Sequence, residues 1–86
     1  METITIWIDK ESIGMESAWG ISWLLAKLYN PNTTLKAWFD KKRARYSPTL
    51  PECAAKGVSN WEELGRLQGG KKKFVIGSDD YIFIYT

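Results

Sequence analysis

The closing segment Tyr81-Ile82-Phe83-Ile84-Tyr85 has no polar face. Side chains on a strand point alternately to its two sides, so Tyr81, Phe83 and Tyr85 form one row and Ile82 and Ile84 the other. Both rows are apolar. Such a strand is either covered on both faces or leaves one face for something outside the chain. Cover is scarce in 86 residues, because a chain this short buries only roughly 60–65% of the surface it exposes when unfolded.

The first strand poses the same question. Ile4, Ile6 and Ile8 alternate with Thr3, Thr5 and Trp7, giving one wholly aliphatic face. Likeness of character predicts that the isoleucine rows of the two strands lie together under the helices. Trp7, Tyr81, Phe83 and Tyr85 then share the opposite face. That face is closed by a long loop, by a second copy in a homodimer through the aromatic sheet face, or by a ligand.

Between these strands, Glu16 to Asn30 reads as a helix. At about 100° per residue, Ala18, Ile21, Leu24, Leu25, Leu28 and Tyr29 gather into one stripe, expected to face the core. Pro31 ends the helix, since it disfavours helical backbone at Asn30 and has no N–H to donate. Residues 33–46 fit two elements. As a helix, Leu35, Trp38, Phe39 and Tyr46 share a side; as a hairpin, Leu35, Ala37 and Phe39 face the core and residues 40–43 turn. Their Ala, Leu, Lys and Arg content favours the helix. A short helix is expected to start at Pro51 and stop at Gly57. The next begins with a capping box, Ser59 and Glu62, and stops at Gly69-Gly70. Residues 73–85 then read as a hairpin around residues 77–80. The expected fold is α+β: a single two-layer domain spanning 1–86, in the order β-α-α-α-β-β. Its sheet is mostly antiparallel, with three strands and up to five, and its helices lie on one face.

Several function classes fall away. Cys53 is the only cysteine and there is no histidine, so an internal disulfide, the Cys/His zinc sites and any Ser-His or Cys-His pair are excluded. The amino terminus has neither a basic nor an apolar leader segment, and the apolar runs, Trp23 to Ala26 and Tyr81 to Tyr85, are far too short for a membrane span. A cytoplasmic protein with no membrane span is expected. Gly65 to Lys71 has the glycine and lysine spacing of a phosphate-binding loop, but Lys72 stands where Ser or Thr must hold magnesium. Glu62-Glu63 and Asp79-Asp80 are adjacent pairs, which diverge on regular elements, so a two-carboxylate hydrolase is the least favoured reading. No enzyme, metal or cofactor is expected.

Charge is unevenly laid out. Residues 1–32 carry net −2, residues 33–73 net +6, and the last thirteen net −2. Within the basic middle, Lys41, Lys42, Arg43 and Arg45 lie beside Trp38 and Tyr46, and Lys71, Lys72 and Lys73 form a second cluster. Clustered cations with nearby aromatics suit phosphate and base contacts. The alternating aromatics of the last strand are similar to the base-stacking sheet of RNA-recognition modules, although the glycine-rich signature of those modules is missing. Trp19 and Trp23, four residues apart, form a ridge away from the leucine stripe.

The favoured expectation is a non-catalytic binding or regulatory protein. It docks Trp19, Trp23, Trp38, Tyr81, Phe83 and Tyr85 with the basic surface onto a larger protein or nucleoprotein complex. Size alone suggests a phage or mobile-element inhibitor such as an anti-CRISPR. The alternative is direct nucleic-acid binding through the 36–45 and 71–73 clusters.

Overall fold

Five strands and two helices form a small α+β domain in the computed structural model, which describes residues 1–8, 13–48, 59–77 and 79–86, with the backbone alone at 59–60. In chain order they are β1 (Glu2–Ile6), α1 (Met15–Tyr29), β2 (Leu35–Asp40), β3 (Arg45–Ser47), α2 (Ser59–Leu67), β4 (Lys72–Ile76) and β5 (Tyr81–Tyr85). The sheet order is β1-β4-β5-β2-β3. β1 runs parallel to β4, and the other pairs are antiparallel. The sheet is therefore mixed, because the chain comes back beside β1 on β4, in the same direction, after passing through α2. That return needs a crossover rather than a tight turn. The short helix expected over 51–57 lies outside the described residues, as does Cys53.

Residues 33–46 are not a helix. They form β2, a turn at residues 41–44 and β3. Local propensity loses here to pairing: β2 lies between β3 and β5, and its partners on β5 are far away in sequence. A register shift between Leu35 and Ala37 lets Leu35 join the α1 side, while Ala37 and Phe39 face the other way.

The helices lie on opposite faces, not one. Cross-strand partners share a face, so Ile4, Phe74, Phe83 and Trp38 form a row across four strands on the α1 side. Val75, Ile82, Phe39 and Tyr46 form the matching row on the α2 side, where Trp61 stacks on Phe39. The isoleucine rows are thus separated. Ile4, Ile6 and Ile8 pack with Tyr81, Phe83 and Tyr85 under α1, while Ile82 and Ile84 pack under α2. Both faces of β5 are closed by the chain itself, and all five of its residues are buried.

The face that α1 turns to the sheet also differs from expectation. Its buried residues are Ala18, Ser22 and Ala26, whereas Leu24, Leu28 and Tyr29 are exposed. The sheet offers large rings here: Phe74, Tyr81, Phe83 and Tyr85. A helix can approach such rings closely only with small side chains, so volume complementarity outweighs side-chain hydrophobicity. The end of α1 falls where Pro31 requires, with the Asn30 N–H donating to the Ala26 carbonyl.

Ser22 ties this helix to the sheet. Its hydroxyl donates to the Trp19 carbonyl at 2.9 Å and meets the Tyr85 hydroxyl at 2.8 Å, so the phenol donates to Ser22 Oγ. Burial pushes the Tyr85 phenol above its ordinary 10.0, opposed by the Ser22 hydrogen bond. In the unfolded chain the phenol ionises first, so stability is full below pH 10.0 and falls as pH rises through the folded value. Tyr85→Phe should cost about 1 kcal/mol near neutral pH. It should also flatten the alkaline loss, which urea midpoints on either side of about pH 10 will show.

Candidate functional site

α1 packs on β5 and β4, leaving a groove between its tryptophan flank and the start of β2. The groove encloses about 510 Å³ and is lined by Glu16, Trp19, Gly20, Trp23, Thr34 and Leu35. Trp19 is 48% exposed, while Trp23 is half-buried against Tyr85 with ring centroids 5.9 Å apart. Helical spacing sets both rings on one side of α1, and Gly20 lies at the rim of the groove toward the outer face of the helix. Lys27 Nζ sits 4.9 Å from the Trp23 ring centroid, a cation–π contact at one lip. Glu16 marks the other end.

The basic turn meets the sheet near that second end. Tyr81 links the two: its hydroxyl donates to the Ile13 carbonyl at 2.9 Å, just before α1, and Lys42 Nζ lies 5.8 Å from its ring centroid. Lys41, Lys42, Arg43 and Arg45 are all exposed. The Asp40 carboxylate, buried at the end of β2, accepts the Arg43 backbone N–H at 3.3 Å and shapes the turn. Among the described residues none of these four cations is within ion-pair distance of a carboxylate.

The seven expected nucleic-acid contacts do not share one surface. Lys71 and Lys72 sit at the β5 end marked by Tyr85, whereas the 41–45 turn is at the Tyr81 end. Lys72 pairs with Glu2 and lies 4.7 Å from the Tyr29 ring centroid. Lys73 pairs with Glu62 at 3.1 Å on the α2 face. Alternation along β4 sends these neighbours to opposite sides of the sheet.

Of the six expected partner-binding aromatics, Tyr81, Phe83 and Tyr85 are core residues, so they cannot touch a partner from the native surface. They also cannot stack on bases in the manner of an RNA-recognition sheet, although the chain does begin β-α-β-β-α-β. A dimer through the aromatic sheet face is likewise closed off, because α1 already covers it. Trp38 is half-buried in the same core. Trp19 and Trp23 do come together, and Leu35 and Thr34 complete their groove. Sequence reasoning missed those two because the bulge that turns Leu35 to this face has no local signature.

A second hollow, of about 410 Å³, lies on the α2 side and is lined by Phe39, Lys41, Trp61, Glu62, Lys73, Asp79 and Ile82. Here Glu62 is already paired with Lys73, while Glu63 pairs with Arg66. Among the described residues, no three His, Cys, Asp or Glu side chains are placed to hold a metal ion, and no helix is long and apolar enough to cross a membrane.

Two open-ended hollows on a five-stranded α+β scaffold describe a class of small domain rather than one activity. The chain belongs to the family described as Domain of unknown function (DUF5619), which matches residues 1–85. The fold is similar to that of the crystal structure of protein AF1514 from Archeoglobus fulgidus. The two share a TM-score of 0.80 and 22% identity, over 100% of this chain and 93% of that one. None of the curated proteins matches.

Proposed function

We propose that this is a non-catalytic binding domain that seats an apolar segment of a larger protein partner in the α1–β2 groove. One observation carries the reading: Trp19 stays half-exposed over an apolar hollow while the rings of β5 are fully housed inside. Trp is enriched where protein interfaces concentrate their binding energy, and the hollow falls in the roughly 300–1,000 Å³ range of ligand sites. The four exposed cations of the 41–45 turn favour an acidic flank on the bound segment, through steering and register. The inhibitor expectation rests on size alone, and no residue of the groove carries it.

Selection of short random peptides displayed against the immobilised protein tests this. Enriched peptides should join aromatic or aliphatic residues to Asp or Glu and change the tryptophan fluorescence. Trp19→Ala should weaken their binding at least tenfold, about 1.4 kcal/mol, with the melting temperature little changed. Peptides that bind Trp19→Ala as well as wild type would place the site elsewhere.

The turn by itself supports a second reading, direct nucleic-acid binding, because its four exposed cations are unpaired among the described residues. Four phosphate contacts give a slope of roughly −3 to −4 in log K against log salt on duplex DNA. Lys41/Lys42/Arg43→Ala should remove most of that slope. Absence of binding at low salt ends this reading.

A further inference from the structure

We infer that a second copy of this chain docks on the outer face of α1, the two helices packing antiparallel about a two-fold axis. The most exposed apolar side chains of the helix are Leu24 and Leu28, at 68% and 80%. They lie roughly 120–160° around the helix from the buried Ala18, Ser22 and Ala26. Two leucines one turn apart make a continuous apolar stripe on the outer side of the helix, where a partner can cover it.

The same outer face is shaped to receive its own copy. Toward the start of α1 it carries Ser17 and Gly20, both exposed, and a Cβ built on Gly20 would meet nothing within 4 Å. The face is therefore bulky in its second half and recessed in its first. A two-fold axis across the helix reverses its direction. It sets Leu28 beside Ser17 of the other copy and Leu24 beside that copy's Gly20, knob against hole.

Charge agrees with this arrangement. Glu16 and Lys27 occupy one flank of the stripe, at its two ends. Antiparallel packing about such an axis brings like flanks together, so each Lys27 faces the other copy's Glu16. A single register satisfies both leucine contacts and this ion pair. Parallel packing would instead oppose leucine to leucine and leave both holes unfilled. A contact confined to one face of one helix falls below the roughly 800 Å² per partner of a standard interface. A weak, reversible dimer is expected.

Sedimentation velocity on the full chain, from low-micromolar to near-millimolar concentration, reads the association directly. Wild type should pass from monomer to dimer. Leu28→Glu and Gly20→Leu should remain monomeric throughout, with unchanged circular dichroism and no lower melting temperature, since both positions are open to solvent in the monomer. Lys27→Glu should weaken the dimer several-fold, and adding Glu16→Lys should restore it. The inference is overturned by a wild type that stays monomeric throughout, or by association that survives Leu28→Glu and Gly20→Leu. It is equally overturned if Lys27→Glu has no effect, or if assembly continues beyond a dimer, since a two-fold contact closes.

Discussion

Phe83→Ala is expected to remove about 3–5 kcal/mol of stability. The ring is fully buried at the centre of the row that joins Phe74 and Trp38 across three strands. No side chain can swing in to refill the space, because Tyr85 is held by Ser22 and Phe74 is set edge-on to Tyr85 with centroids 5.7 Å apart. A domain of this length has about 4–13 kcal/mol in total, so the variant should lose from about a quarter to all of its stability. Urea denaturation followed by circular dichroism measures the loss. A cost below about 1 kcal/mol would mean that α1 does not close this face.

Gly70→Ala is the second large effect, expected to cost about 2–3 kcal/mol. A Cβ at Gly70 would lie 2.5 Å from Ile84 Cγ2 and 2.7 Å from the Gly65 carbonyl oxygen. Neither neighbour can yield: Ile84 is buried, and that carbonyl already accepts the Gly70 N–H at 2.9 Å. The contact is how the end of α2 returns to the sheet, so pushing it apart also loosens α2 from β2, where Gly65 sits against Ala37. The same substitution at Gly20 should go the other way. Nothing crowds that position, and Ala in place of Gly favours the helix by up to about 1 kcal/mol. Opposite signs for Gly70→Ala and Gly20→Ala in one thermal denaturation series would confirm that space, rather than glycine's backbone freedom, sets the first result.

Elements with strong local signals were legible in the sequence. Alternation at Ile4, Ile6 and Ile8 marks β1, Pro31 fixes the end of α1, and the turn residues between two apolar runs mark the β4–β5 hairpin. The β2–β3 hairpin is one of the two elements that residues 33–46 fit; composition favours the other, because the hairpin's stability comes from pairing with β5 and from contact with α2. Of the candidate site, the Trp19–Trp23 ridge could be found by helical spacing. Its other wall, Leu35 and Thr34, depends on a bulge in a strand that local propensity does not indicate.

What the chain alone determined was that β5, apolar on both sides, needed cover on both, from the chain or from outside it, and that catalysis through histidine or paired cysteines was excluded. Which surface did the sandwiching was decided by tertiary structure. Hydrophobicity ranks Leu24 and Leu28 above Ala18, Ser22 and Ala26, but the rings of Phe74, Phe83 and Tyr85 leave room only for the small ones. Fit between two surfaces is a property of the pair, and neither sequence segment carries it by itself. That same mismatch turned the leucines outward and left the tryptophans at the edge of an open groove.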